Sequence, residues 1–264
     1  MFDGLKLFDA YGLRAQFFPA LVAGLPTLGL LIVLVSWDHL GFPHALAGVM
    51  SGVLMYAFAD MARRYGRKVE MKLGTRTTPE LLYRNNTVID EPLKARYRPF
   101  LAKMIDGTVP TEEEERTDPQ NANRFYNGAA TWLREHTRDH KKFNLLFNEL
   151  VSYGFRRNLL GVKPISLALN VVVLAASVAI LHFHWAYFEA LTDVDAKIWT
   201  VIGVALLHSL YMSLGVNKAA VIEASEAYGR QLILCCEAFI GAKQRATDKP
   251  AMTRKSAVSR SPTT

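Results

Sequence analysis

Basic side chains gather at both ends of a central segment of this chain, residues 63–164. Their types and spacing are suited to binding an anion. An Arg guanidinium can hold a phosphate through two parallel hydrogen bonds, and Lys adds a point charge. The pattern suits two kinds of partner: the anionic headgroups of a lipid bilayer, or a phosphorylated small molecule or oligonucleotide. No phosphate-loop, dinucleotide-binding or RNA-binding motif decides between them. The candidate anion-binding residues are Arg63, Arg64, Arg67, Lys68, Arg138, Lys141, Lys142, Arg156 and Arg157.

A second group of polar residues lies within segments that are otherwise apolar. Ser209, Ser213 and Asn217 recur every four residues, which places them on one face of a helix. Such a stripe either lines a water-filled path or makes hydrogen bonds between helices. The predicted pore-lining residues are Asn170, His208, Ser209, Ser213 and Asn217.

Catalytic groups are not recognisable. Glu135, His136, Asp139 and His140 form an acid–base cluster, but its spacing fits no hydrolase, kinase or deaminase, and a solvated helix face explains it. We therefore predict no catalytic residue, and an enzyme is the least favoured class of function.

Metal and cofactor sites are not predicted either. Cys235 and Cys236 are adjacent, without the spacing of a zinc site or a disulfide. His182 and His184 point to opposite sides of a helix, so they do not converge with His39 and His44 and are expected to be interfacial anchors.

The elements that position these residues include four apolar segments. They are Phe17 to Trp37, Pro43 to Ala62, Ile165 to Phe188 and Ile198 to Asn217. Each is close to the roughly 20 residues that a helix needs to cross a hydrocarbon core, and Trp37, Trp185, Tyr187 and Trp199 mark one interface. The predicted fold is all-α: an integral membrane protein with four transmembrane helices in two hairpins and a helical cytoplasmic insert.

Charge distribution predicts the orientation. Residues 63–164 hold 20 basic and 13 acidic side chains, a net charge of +7, whereas the two hairpin connections hold four acids and one Lys. The positive-inside rule places the insert and both termini in the cytoplasm of a cell with an inner (plasma) membrane. The predicted parts are an amphipathic segment 1–16, a hairpin 17–62, a basic helical domain 63–164, a hairpin 165–217, a cytoplasmic helix 218–241 and a disordered basic tail 242–264.

Two patterns favour self-association. Gly48 and Gly52 have the spacing that lets transmembrane helices approach closely. A heptad seam includes Val221, Tyr228, Leu232 and Phe239. We predict a homo-oligomer on these patterns, with packing within one chain as the alternative.

A short motif occurs beside both hairpins. Tyr11-Gly12-Leu13-Arg14 and Tyr153-Gly154-Phe155-Arg156 precede them, and Tyr65-Gly66-Arg67 and Tyr228-Gly229-Arg230 follow them. Two parallel repeats of a two-helix unit would produce this pattern, and so would chance.

Function is inferred from this organisation. We expect an oligomeric channel or membrane-perturbing effector that its cytoplasmic domain controls, with an anionic, phosphorylated ligand as the signal. The alternative is a membrane-anchored scaffold that recruits a cytoplasmic protein partner. A membrane-proximal enzyme is the weakest interpretation.

Overall fold

The computed structural model describes residues 10–34, 44–75, 78–183 and 193–247, and within them every regular element is a helix. The all-α prediction is therefore confirmed. The helices are α1 (Gly12–Leu34, of which Gly12–Phe17 is π-helical), α2 (His44–Leu73), α3 (Glu91–Met104), α4 (Glu112–Thr117), α5 (Pro119–His136), α6 (Asn144–Phe183), α7 (Val194–Leu210, continued by a π-helical turn Tyr211–Gly215), α8 (Lys218–Leu234) and α9 (Cys236–Thr247).

Three of these helices are long and apolar enough to cross a membrane: α1, α6 and α7 with its π-helical turn. The second predicted span falls in α2, where the side chains of residues 44–52 and 55 lie outside the described residues. Most of the amphipathic N-terminal segment, the hairpin tips with Trp37, Trp185 and Tyr187, and the tail from residue 248 also lie outside them.

The chain divides into two compact units. The span unit comprises residues 1–77 and 144–229, and the small unit comprises residues 78–143 and 230–264. Two of the predicted boundaries fall inside helices: residue 63 lies within α2, and residue 164 lies within α6. Pro164 does not end α6. Buried residues lie on both sides of it, at Val162 and Ser166, so packing holds the helix together across the proline.

In the span unit, α6 is the central helix and packs against α1, α2 and α7. One apolar cluster includes Ala23, Leu159 and Met212, and a second includes Leu30, Val173 and Ile198. Each cluster joins α1, α6 and the region of α7, so these helices form one packed group.

Two glycines permit a close crossing of α2 and α6 in the span unit. A Cβ on Gly161 would lie 2.6 Å from the backbone N of Gly66 and 2.6 Å from the carbonyl carbon of Tyr65. A Cβ on Gly66 would overlap the Asn158 amide. Asn158 is fully buried, and its Nδ2 donates to the Ala15 carbonyl at 2.5 Å. The α2–α6 crossing thus depends on both glycines.

The end of α2 is fixed by polar contacts. Gly74 has a φ of +63°, the left-handed conformation that commonly ends a helix. Thr75 follows it, and its Oγ1 lies 2.9 Å from the Tyr153 hydroxyl. Its carbonyl accepts a 2.5 Å hydrogen bond from the buried Ser225 hydroxyl. The chain therefore leaves α2 at a position held by α6 and α8.

The small unit contains a buried cation network. The Lys94 side chain is completely buried, and its ammonium donates to the carbonyls of Tyr83 at 2.7 Å and Asn86 at 2.5 Å. Arg98 is also buried, and it donates to both carboxylate oxygens of Glu91. These bonds and the ion pair with Lys94 lower the pKa of Glu91 to about 2. The loop before α3 is thereby fixed by side chains as well as by its backbone turns.

In the small unit, α4 and α5 begin with side-chain caps. Thr111 and Glu114 form the capping box that their spacing predicts, with each side chain bonded to the other residue's backbone N–H. The Asp118 side chain accepts from the Asn121 N–H, and Pro119 occupies the first position of α5. These caps position Glu115, which pairs with Arg84.

Candidate functional site

A pocket of about 510 Å³ lies in the span unit, between the start of α1, one face of α6 and the junction of α7 with α8. The residues that α6 contributes to it recur at intervals of mostly three or four positions, which is the spacing of a single helix face. The chain segments on both sides of this face close the pocket laterally. The lining residues are Arg14, Phe18, Asn148, Val151, Ser152, Phe155, Arg156, Leu159, Tyr211, Gly215, Val216, Asn217 and Ala220.

The pocket has an apolar part and a polar part. Leu159 and Val216 are buried, and Phe18 and Tyr211 extend the apolar wall. Arg14 and Arg156 are the charged residues among the lining residues. The pocket is therefore amphipathic and carries positive charge.

The two arginines belong to different helices. Arg14 lies on α1 and donates to the Asn148 side chain at 3.5 Å, a long contact. Arg156 lies on α6 and donates to the Ala220 carbonyl at 3.2 Å, and its ion pair with the exposed Glu223 is loose at 3.6 Å. Both guanidiniums are exposed, so each retains N–H donors for an added anion.

The third wall depends on the end of α7. There the helix widens into the π-helical turn Tyr211–Gly215 before Val216 becomes extended. The Lys163 ammonium donates to the carbonyls of Ser213 at 3.0 Å and Val216 at 2.8 Å, which satisfies acceptors that the irregular turn leaves free. Asn217 then caps α8 by accepting from the Ala220 N–H at 2.9 Å.

The predicted anion-binding residues do not form one site in the structure. Arg63 and Arg64 both pair with Asp60, at 3.4 and 2.6 Å. Arg157 points to α2, where it pairs with Glu70 at 2.6 Å, and both side chains are largely buried. Lys68 lies over the Tyr65 ring. Arg67 is exposed on α2. Of the predicted anion-binding residues of the span unit, only Arg156 lines the pocket.

The other predicted anion-binding residues belong to the small unit. Arg138 pairs with Glu135 on the same helical turn at 2.6 Å. Lys142 lies over the rings of Phe143 and Phe239. Lys141 is exposed, and its backbone N–H donates to Asp139. These residues are charged surface groups of that unit.

Three of the predicted pore-lining residues meet in a buried network. Asn170 Nδ2 donates to His208 Nδ1 at 2.9 Å and to Ser209 Oγ at 2.8 Å. The opposite nitrogen of His208, Nε2, lies 2.8 Å from the Val22 carbonyl. That carbonyl is free because Pro26, four residues later, has no N–H to donate. The network therefore joins α1, α6 and α7.

Ser213 and Asn217 are not part of this network. The Ser213 side chain is exposed and contributes its carbonyl to Lys163, and Asn217 serves as the cap of α8. A pore-lining role for all five residues stays a prediction.

The residues predicted to mediate self-association have partners within the chain where they are described. Val221 is buried with Tyr153 and Ala224, and Tyr228 stacks on Tyr153. In the small unit Leu232 is fully buried, and Phe239 contacts Trp132. Gly48 and Gly52 lie outside the described side chains, so a homo-oligomer stays a prediction.

The other candidates have structural partners. His136 stacks on Trp132 with ring centroids 4.1 Å apart, and Asp139 caps the turn before α6. His182 contacts Phe183. Cys235 and Cys236 are buried free thiols, and burial raises their pKa values to about 11 and about 12. Among the described residues no three His, Cys, Asp or Glu side chains are grouped as metal ligands. His39, His44 and His184 lie outside the described side chains.

Sequence reasoning missed Arg14 as a site residue and did not see that Lys94 and Arg98 are buried. The repeated Tyr-Gly-x-Arg motif carried the signal for Arg14, because its two copies before the hairpins place Arg14 and Arg156 in one pocket. Gly154 of the second copy faces Tyr11 of the first: a Cβ there would lie 2.8 Å from the Tyr11 hydroxyl.

Comparison of this chain with protein-family models, curated proteins and solved structures finds no match.

Proposed function

We propose that this chain is a four-span inner-membrane protein that acts as a channel-forming or membrane-perturbing effector and responds to a phosphate-bearing ligand at its cytoplasmic boundary. The observation that carries the proposal is the pocket with Arg14 on one side and Arg156 on the other above an apolar wall. Guanidinium groups are well suited to phosphate, and the apolar wall suits an attached hydrocarbon or ring.

Four spans with both termini in the cytoplasm would place the pocket at the inner interface. The supporting observation is the net charge of +7 on residues 63–164 against the acidic hairpin connections. In this orientation Lys163, Arg156 and Arg14 lie at headgroup depth, where basic side chains extend toward the polar layer. Conduction would require several copies, because two hairpins are few for a pathway.

The pocket supplies a mechanism of control. A phosphate held by Arg14 and Arg156 links α1 to α6 beside the start of α8, so it favours the arrangement in which these segments are close. Shifting a population from 1:99 to 99:1 requires about 5.5 kcal/mol of preference for one state. Two arginines, each contributing about 1.5–3 kcal/mol through charged hydrogen bonds, can supply that amount. Loss of either one would leave the two states about equally populated.

Planar-bilayer recording with the purified full-length chain tests the proposal. Short-chain phosphatidic acid, ATP and inorganic phosphate would be added separately to neutral bilayers. We expect one of these probes to open a conductance. Arg14→Gln and Arg156→Gln should each reduce the maximal response by about half, and the double variant should abolish it. Lys103→Gln, an exposed change in the small unit, is the matched control. Silent bilayers with every probe would refute the proposal.

A membrane-anchored scaffold is the second candidate, and the surface of the small unit favours it. Phe100, Trp132 and Phe239 are half-buried neighbours, with Lys142 over the Phe239 ring. Such a mixed aromatic and cationic surface is typical of protein-binding sites. Cross-linking in cells would reveal a partner whose yield falls in Trp132→Ala while the bilayer phenotype, if any, is unchanged.

A further inference from the structure

The buried network of His208 has a fixed proton arrangement in its neutral form. Pro26 leaves the Val22 carbonyl without its helical donor, and a carbonyl only accepts, so His208 Nε2 must carry a hydrogen. His208 Nδ1 must then accept from Asn170 Nδ2. The Asn170 side chain is 1% exposed, and its Oδ1 has no partner among the described residues. One strong acceptor is thus buried and unused.

We propose that His208 and Asn170 form a proton-binding site within the span bundle, in which rotation of the Asn170 amide accommodates a proton on His208 Nδ1. The proton comes from water and adds to the lone pair of His208 Nδ1, which accepts a hydrogen bond from Asn170 Nδ2 in the neutral form. A half-turn of the amide exchanges its oxygen and nitrogen at nearly the same positions. The oxygen then accepts from the new N–H of His208, and the bond to Val22 is kept.

Ser209 supports both amide orientations because a hydroxyl both donates and accepts. Its Oγ lies 2.8 Å from Asn170 Nδ2 and 2.7 Å from the Ala205 carbonyl. In the neutral form the hydroxyl accepts from Asn170 and donates to Ala205. After the rotation it donates to Asn170 Oδ1 instead. The Ala205 carbonyl lies in a regular helix, so its backbone partner remains.

The rotated amide nitrogen needs an acceptor, and α1 offers one at the same depth. The Ala15 carbonyl accepts from Asn158 and the Ala23 carbonyl accepts from Ser166, so α1 and α6 run parallel with a constant offset of 143 positions. That offset places Thr27 level with Asn170. Thr27 Oγ1 is also buried and has no partner among the described residues. Asn170 Oδ1 and Thr27 Oγ1 are therefore the two acceptors that the rotated form, with its proton on His208 Nδ1, would use.

Among the described residues, no nearby acidic side chain would neutralise a proton bound to His208. The described residues of α1 contain only Arg14 as a charged side chain, about two turns before Val22. On α6 the first charged side chain before Asn170 is Lys163, whose ammonium is bound to Ser213 and Val216, beyond His208 on α7. On α7 itself the titratable neighbour is Tyr211. No acidic side chain contacts His208 among the described residues, so proton binding adds a positive charge to the bundle.

Nitrogen NMR of the full-length chain, labelled with ¹⁵N-histidine and reconstituted in lipid bilayers, tests the proposal. The difference between the wild type and His208→Gln isolates the His208 signals from those of the other six histidines. At pH 8 we expect a protonated Nε2 and an unprotonated Nδ1. Between pH 8 and pH 4, Nδ1 should become protonated while circular dichroism shows that the helices persist. An Nδ1 that stays unprotonated until the chain unfolds would overturn the proposal and leave the network a structural contact only.

Two variants test the role of the amide. Asn170→Leu removes the acceptor for the protonated ring, and we expect proton affinity to fall at least tenfold, the effect of one hydrogen bond to a charged group. Asn170→Asp replaces the amide by a near-isosteric acid, and proton affinity should rise at least tenfold. If Asn170→Leu does not fold, the Asp variant still tests whether the side chain at position 170 contacts the protonated ring of His208. Unchanged affinity in a folded variant would overturn the amide rotation.

Discussion

The α2–α6 crossing allows a sharp test of the packing, because one methyl group should disrupt it. In Gly161→Ala the new Cβ would lie 2.6 Å from the Gly66 nitrogen and from the Tyr65 carbonyl carbon, and 2.9 Å from the Tyr65 oxygen. All three are backbone atoms, so no rotation of a side chain can relieve the overlap. The two helices must separate, and we expect the span unit to lose stability.

The expected magnitude follows from two opposing effects. Forcing an extra methyl group into a packed site costs about 1–3 kcal/mol, and backbone overlap belongs at the upper end. Replacing Gly by Ala within a helix contributes up to about 1 kcal/mol in the other direction. The net loss should be about 2 kcal/mol. Separation of the helices would also disturb Asn158, which packs against Gly66 and bonds to Ala15.

A matched control is available in the same unit. Gly203 is also helical, and a Cβ there would meet no atom within 4 Å, so Gly203→Ala should gain up to about 1 kcal/mol from helix propensity. Thermal unfolding in one detergent compares both variants with the wild type. At about 2–4 °C per kcal/mol for a unit of this size, the two variants should differ by roughly 6–12 °C. Equal midpoints, or a stabilised Gly161→Ala, would show that the helices do not cross as described.

Two further predictions concern the cation network of the small unit. Lys94→Met leaves the carbonyls of Tyr83 and Asn86 buried without their donor and should lower the free energy of unfolding by about 3–5 kcal/mol. The control, Lys103→Met, changes an exposed side chain and should alter it by no more than about 0.5 kcal/mol. The Lys94 variant should show faster hydrogen exchange in the loop before α3, and equal exchange in both variants would contradict this prediction. Because the folded pKa of Glu91 is about 2 and its ordinary value is 4.5, its stabilising effect is fully present above about pH 4.5 and is lost as pH falls through 2. The gap in unfolding temperature between wild type and Glu91→Gln should therefore shrink between pH 5 and pH 2.5, and a gap independent of pH would refute the assignment.

The sequence allowed the helical class and the apolar segments to be predicted, because both depend on local composition. A run of about 20 residues without a charge is visible without any knowledge of contacts, and so is a capping box such as that of Thr111 and Glu114. The described residues show three helices of spanning length and composition. Orientation follows from charge statistics, and it stays a prediction.

The composition of the candidate anion site could not be predicted in the same way. Charge density identifies where basic residues are numerous, but it does not show which of them are already paired. Arg157 and Arg156 are neighbours in the sequence, yet a helix turns by about 100° between them. Arg157 therefore meets Glu70 on α2, while Arg156 lines the pocket. Arg14 lies 142 positions before Arg156, and only the tertiary fold brings the two together.

The arrangement around α6 explains why polar residues within the apolar segments were hard to interpret. A polar side chain in a spanning segment can face water or satisfy a defect in a neighbouring helix, and the sequence of its own helix is the same in both cases. Here the defect is in another helix: Pro26 frees the Val22 carbonyl, and His208 supplies the missing donor. Lys163 similarly supplies donors where the end of α7 becomes irregular. A Pro within one apolar segment and a His or Lys in another are therefore best interpreted together, since the first creates the acceptor that the second binds.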